Sequence, residues 1–445
     1  MAEIRAFRAL YYNPETIGEL GEVATQPYDK ISPAMQERYY WSSPYNLVRI
    51  IRGREGPGDT PQNNMYTRAA QRFEDWRRSR ILIADSGPAL YPYYQEYAVP
   101  GQPGVKKERR GFIALCRLED YAAGVVHRHE ETLAGPKQDR LELLKATHAH
   151  FGQIFMLYSD PAGSVESLLQ ACTGSRPWQQ VTDDYGSRHS VWRASAPALI
   201  EAVVTAMRDR KLVIAHGHHR YETALAYRDY CREQGRTDAR AEYVMVTLIR
   251  MESEGLTILP THRVVHSLPQ FDWGHLTAEA QRFFDWQELK LPDSGEEQSV
   301  RLAESLAQAG RERSTLGVYA GPGKLAQLFL RGDVDLAGLL PDVPETLRRL
   351  EVVLLHRLLL EKALGIDPQA VREERNLHYV RELAGALDQV AGGRAQVCFL
   401  LNPTPIEAVR DNAFAGHVMP QKSTDFFPKL LSGLTSYWLD QPDEK

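Results

Sequence analysis

The sequence predicts a mixed α/β protein of the α+β kind, and three observations carry that reading. Short runs rich in β-branched and aromatic residues alternate along the chain with stretches of helical periodicity. Residues 212–233 read as strand, glycine turn and helix in immediate succession. A polar, turn-rich segment, LKLPDSGEEQSV at 289–300, sets that region apart from a second group of helices and strands. The expected units are therefore 1–288, with an inserted hairpin, and 301–445. With 43% hydrophobic and 25% charged residues the composition is that of a folded globular chain, which excludes wholesale disorder and fibrous repeats.

In chain order, PYDKISP at 27–33 reads as a proline-bounded loop and 46–51 as a strand. Mixed apolar and charged residues predict a helix over 65–80. Two β-like stretches, 89–99 and 110–118, flank the Gly/Pro/Lys turn PGQPGVKKE and predict a hairpin. A helix is expected over 140–149 and a strand over 154–158. A helix follows Pro197 over 199–208, then the strand LVIA at 212–215, the tight turn HGHHR and a helix over 221–233. Strands are expected at 243–251 and 256–259, an amphipathic helix over 346–364, a strand at 396–401 and a helix over 406–415.

Fifty-three basic against fifty-eight acidic residues give a net charge of −5, so neither nucleic acid nor a membrane surface is an expected partner. No apolar stretch is long enough to span a bilayer, and the N-terminus, MAEIRAFRALYYNPE, lacks the features of a secretory leader. Four cysteines, Cys116, Cys172, Cys231 and Cys398, lie far apart with no CxxC pair, which suits reduced thiols and a cytoplasmic location. A homo-oligomer stays open.

The sharpest local signal is IAHGHHRYETALAYRD at 214–229. Gly217 permits a tight turn, and a helix N-terminus with unpaired N–H groups favours a phosphate. His216, His218, His219 and Arg220 crowd the same point. The competing readings are a plain helix start with structural histidines, and a metal site built on HxHH; neighbouring residues in a tight turn rarely aim three imidazoles at one ion. The Gly-Lys of AGPGKLAQ at 320–327 lacks Walker spacing, and neither GxGxxG after a strand nor GxSxG occurs.

Other segments are dense in polar groups. Asp29 and Ser32 in PYDKIS could serve as a base and a substrate contact, or as a turn and a helix cap. HEETLAGPKQDRLELL at 129–144 holds His129, Glu130, Thr132, Lys137, Asp139 and Arg140, and by itself reads as a solvated loop and helix start. PTHRVV places His262 and Arg263 at an apolar strand, where an open sheet often sets ligand groups. MPQKSTDFFPK at 419–429 offers Lys422, Ser423 and Thr424, suited to a phosphate or to a capped surface loop.

Taken in order, PYDKIS, SPYNLVRI, the 129–158 segment, HGHHRYETAL, LPTHRVV, LLNPT and MPQKST with FFPKLLSGL resemble the bacterial and archaeal domain-of-unknown-function 1015 family over almost the whole chain. The GHHR turn further resembles the ParB/sulfiredoxin superfamily, which includes free serine kinases. The resemblance implies a ParB/sulfiredoxin-like nucleotide-binding core, with an additional α/β C-terminal region contributing to the same cleft. On that basis His216, Gly217, His218, His219 and Arg220 bind nucleotide (ATP or ADP, with CTP as a further option) together with Mg²⁺. Asp29 becomes the base, with His219 and Arg220 at the transferring group. Ser32, Lys137, His262, Arg263, Lys422, Ser423 and Thr424 are the substrate-binding candidates. The chain departs from the family pattern at His216, where Asp is usual. The expected function is phosphoryl transfer to the hydroxyl of a small metabolite, a hydroxy amino acid such as serine being the example. A nucleotide-binding regulatory protein without turnover, and a metal-dependent hydrolase, are the alternatives.

Overall fold

Phe112, Ala114 and Cys116 pack on one side of their strand while Ile113 and Leu115 pack on the other, and the neighbouring strand divides in the same way. There Val244, Val246 and Leu248 alternate with Met245 and Ile249. Burial on both faces explains why these segments read as continuous apolar runs instead of alternating ones. They form the middle of a nine-stranded mixed sheet in a computed structural model that describes residues 1–131, 135–236, 239–290 and 296–442.

Across that sheet the strands run Val126–His127, Leu212–His216, Ile154–Tyr158, Tyr243–Arg250, Lys106–Arg117, Tyr91–Ala98, Arg188–Val191 and Gln179–Thr182, with Ile4–Arg5 also on Lys106–Arg117. The expected hairpin is present, Tyr91 facing Ile113 and Ala98 facing Lys106. Most pairs are antiparallel; Leu212–His216 with Val126–His127, and Tyr243–Arg250 with Ile154–Tyr158, are parallel. A second, antiparallel sheet has the order Phe284–Glu288, Leu325–Leu330, Thr315–Tyr319, Val397–Leu400, His262–Val265, Leu377–Val380. The fold is thus mixed α/β, and the strands change sheet between Arg250 and His262. Of the turn-rich 289–300 segment, residues 291–295 lie outside the described residues.

The C-terminal segment joins the two sheets. Asp425–Phe427 pairs with Thr257–Leu259, and the chain then returns to the first sheet. There buried Arg109 donates to the carbonyls of Phe427 and Pro428, and Leu431 N donates to Tyr93 Oη. Among the described residues no helix is long and apolar enough to cross a membrane, and none of the four cysteines forms a disulfide.

Two expected elements differ. The apolar run at 46–51 is a short helix, Val48–Ile51, and not a strand. Asn46 Oδ1 accepts from Val48 N at 2.9 Å, and Leu47, Val48, Ile50 and Ile51 are all buried, so half-buried Arg49 is the one polar side chain beyond Asn46 and too little from which to read a period. The 346–364 helix is interrupted at Leu350, which is extended (φ −67°, ψ 131°), and resumes as Glu351–Leu354 followed by a π-helix over Leu355–Ala363. Glu351 is held by Thr315 N and by both nitrogens of Asn402, so tertiary hydrogen bonds override the helical period. The expected helix at 140–149 begins earlier, as Gly135–Thr147, and the one at 221–233 begins directly after the glycine, as His218–Glu233.

Candidate active site

Leu212 to Ala215 are buried strand residues, and Gly217 reverses the chain at φ +100°, a conformation that only glycine adopts without strain. Among the described residues the helix starting at His218 has no side-chain cap, and its first backbone bond runs from Tyr221 N to Gly217 O. The N–H groups of the turn before it are therefore left for a ligand or water. Arg220 folds back over this turn. Its Nη1 donates to Gln153 O at 2.5 Å and its Nη2 to His216 Nδ1 at 2.9 Å. A Cβ at position 217 would stand 3.0–3.1 Å from three guanidinium atoms, so the glycine is required by contact as well as by φ.

A guanidinium can only donate, which makes His216 Nδ1 an acceptor and leaves the ring proton on Nε2. His216 Nε2 lies 3.0 Å from Asp29 Oδ2 and so donates to it. Protonating Nδ1 would set two cations against each other. Burial first, then Lys429 and Arg220 working against the attraction of Asp29, push the His216 imidazole down to about 4. Burial acts to raise the Asp29 carboxyl, but His216, Arg220 and Lys30 outweigh it and hold it well below the usual range. At neutral pH the pair is an Asp29 carboxylate accepting from a neutral His216, with the carboxylate one-third exposed. Next to it, burial and the charges of Lys429 and Lys422 bring Lys30 down to about 8.

On the other side of the turn, His218 is buried and stacks obliquely on His129, ring centroids 5.0 Å apart. His129 bridges Ile214 O and Thr424 Oγ1, and Glu130 Oε1 accepts from both N and Oγ1 of Thr424 at 2.8 and 2.9 Å. Burial alone would raise Glu130, yet the hydrogen bonds and charges of His129 and its neighbours hold it down to about 2. His218 Nε2 and His219 Nδ1 have no hydrogen-bond partner among the described residues. Both histidines line a cleft of about 900 Å³, together with Asp29, Glu130, Arg220 and Lys422. Among the described residues no three His, Cys, Asp or Glu side chains are grouped as a metal would need, so the HxHH spacing gains no support as a zinc site.

The expected site residues sort into three groups. Asp29, His216, Gly217, His218, His219, Arg220 and Lys422 meet at the cleft. Thr424 borders it through Glu130, which it holds, and Lys137 pairs with Glu222 in the second turn of the His218 helix. Ser32, His262, Arg263 and Ser423 are not among the lining residues. Ser32 caps the helix Pro33–Ser42, its Oγ accepting from Met35 N. His262 is buried in the second sheet, pushed down to about 3 by burial and by Arg263. Arg263 is fully buried and fastens the carbonyls of Gln421 and Lys422, so it positions the Lys422 loop from behind. Ser423 Oγ closes its own loop on Pro420 O. His129 and Glu130 sit in a segment whose sequence favours a solvated loop; the polar density of 129–144 is the one signal that marks them. Thr132 of that segment lies outside the described residues.

The model of a family described as "Protein of unknown function (DUF1015)" matches residues 4–353. The chain belongs to the DUF1015 family. The match ends ahead of the LNPT and MPQKST segments of this DUF1015 protein. No curated protein matches it. Among solved structures it is similar to a conserved hypothetical protein from Pyrococcus furiosus (11% identity, TM-score 0.33, covering 71% of this chain and 90% of that one). It is similar to a free serine kinase in complex with AMP (10%, TM-score 0.35, 71% and 86%). SbnI with a C-terminal truncation from Staphylococcus aureus is a third (9%, TM-score 0.36, 75% and 90%). Likenesses of this order leave the chemistry of the DUF1015 chain to be argued from its own site.

Proposed function

We propose that the cleft binds a nucleoside polyphosphate and transfers its terminal phosphoryl group to the hydroxyl of a small metabolite, a hydroxy amino acid such as serine being the model acceptor. The observation that carries this reading is the N-terminus of the His218 helix, which among the described residues has no side-chain cap and opens with the unpartnered Nε2 of a buried histidine into a cleft of nucleotide size. Backbone N–H groups of the Gly217–Arg220 turn take the phosphate oxygens, and His219, Arg220 and Lys422 supply donors and charge around them. Asp29, ionised and partly exposed, accepts the acceptor's hydroxyl proton as its oxygen bonds to phosphorus and the bond to the leaving phosphate oxygen breaks. Lys137, through Glu222, and Arg263, through the 421–422 carbonyls, position these groups. Glu130, which lines the cleft, is a carboxylate that would hold Mg²⁺, an ion that neutralises phosphate charge when bound.

One observation favours binding without turnover. His216 Nε2–H already occupies Asp29 Oδ2, and a donated hydrogen bond makes that carboxylate a weaker base. The test has two steps. Calorimetry with ATP, ADP and CTP reads binding, and absence of binding to all three refutes the whole reading. Product formation with serine, threonine and related hydroxy acids then reads turnover, in the native chain and in His216→Asp. Tight nucleotide binding with no product from any acceptor, in either chain, selects the regulatory reading.

A further inference from the structure

Three motifs singled out in the sequence meet away from the proposed nucleotide cleft. Thr261 and Arg263 of LPTHRVV, Asn402 and Thr404 of LLNPT, and Ser423 of MPQKST line a separate hollow of about 230 Å³ that shares no lining residue with the 900 Å³ cleft. Its positive charges are Arg263, Arg311, Arg313 and Arg349. Arg263 is already held by His356, the Thr261 carbonyl and the 421–422 carbonyls, and Arg313 by Asp285 and the ring of Phe329. Arg311 and Arg349, both exposed, have no ion pair or side-chain hydrogen bond among the described residues. The acidic groups do not cancel them. Glu351 has its oxygens taken by Thr315 N and by both nitrogens of Asn402, which leaves exposed Glu312 as the one carboxylate at the rim with no such bonds among the described residues.

We infer that this hollow is a second binding site, for a small oxyanion bearing a carboxylate or a phosphate. Two arginines that line one hollow, with no side-chain partner among the described residues, offer the planar donor forks that such groups select, over polar walls of Asn402, Thr261 and Thr404. The volume suits a small metabolite and is too small for a nucleotide. Arg263 gives this hollow one wall and the cleft's Lys422 loop its anchor, so the two sites share a buried residue without sharing a ligand.

The experiment titrates the full chain and the Arg311→Gln/Arg349→Gln double variant with orthophosphate and, separately, with malonate, by calorimetry, with circular dichroism as a check on folding. Both substitutions are exposed and outside the nucleotide cleft. The expected result is that one binding site, for phosphate or for malonate, is lost or weakened about tenfold or more in the double variant. If phosphate also enters the cleft, the native chain shows two sites and the variant one; if the cleft binds none, the counts are one and zero. The fate of the nucleotide reading is thus separable from this one. Which probe binds assigns the oxyanion class. Equal stoichiometry and affinity in both proteins, or no binding of either probe to the native chain, overturns the site.

Discussion

Replacing Gly217 by alanine tests the geometry of the turn directly. At φ +100° an L-residue is strained by about 1–2 kcal/mol. The new methyl also lies 3.0 Å from Arg220 Nε and 3.1 Å from Cζ and Nη2, so the guanidinium must move. Because it is tied to Gln153 O and His216 Nδ1, the movement weakens at least one charge-assisted bond, worth about 1–3 kcal/mol. The sum is about 2–5 kcal/mol of destabilisation, read as a lower urea midpoint at unchanged slope. Arg220→Ala removes the clash. In that background Gly217→Ala should cost only the conformational part, about 1–2 kcal/mol, so the double-mutant cycle yields a coupling of at least about 1 kcal/mol. A loss equal in both backgrounds would show that the guanidinium contact is not what fixes the glycine, and a loss below about 0.5 kcal/mol in the native background would refute the strain argument as well.

Arg220→Ala should raise the His216 pKa from about 4, since one of the cations disfavouring the charged ring is gone; imidazole ¹⁵N shifts against pH read it directly, and an unmoved value contradicts the assigned tautomer. His216 is depressed below its unfolded value of about 6.5, so its contribution to stability is complete above that pH and is lost as pH falls towards 4; His216→Gln should flatten the stability profile across that window. Asp425→Asn should cost about 3 kcal/mol, because it leaves buried Lys429 and half-buried Arg381 without their shared carboxylate. Burial would raise Asp425, but Lys429, Arg381 and Lys30 depress it, so its stabilisation is present above about pH 4 and lost on acidification; the native chain should lose stability below that pH more steeply than the variant. Ser32→Ala should lower stability by about 1 kcal/mol, as loss of a helix cap does, and leave nucleotide affinity unchanged in calorimetry.

Local patterns in the chain were enough for the elements whose stabilisation is local. The hairpin, the 65–78 helix, the strand at 154–158 and the strand–Gly217–helix turn all follow from period, turn residues and the φ freedom of glycine, each set by side chains within a few positions of one another. Short runs that are mostly buried, such as 46–51, and periodic stretches crossed by tertiary hydrogen bonds, such as 346–364, carry no local mark of their outcome. The site divides in the same way. His216 to Arg220 announce themselves because the turn and its donors are contiguous. That Asp29 accepts a hydrogen bond from a histidine 187 positions away, that Glu130 is held by Thr424, and that Arg263 serves as the anchor of the Lys422 loop were decided by sheet order and by the return of the C-terminal segment to the first sheet. A buried charge takes whichever partner the packing brings within hydrogen-bond reach, and that partner is chosen by the fold as a whole and not by spacing along the chain.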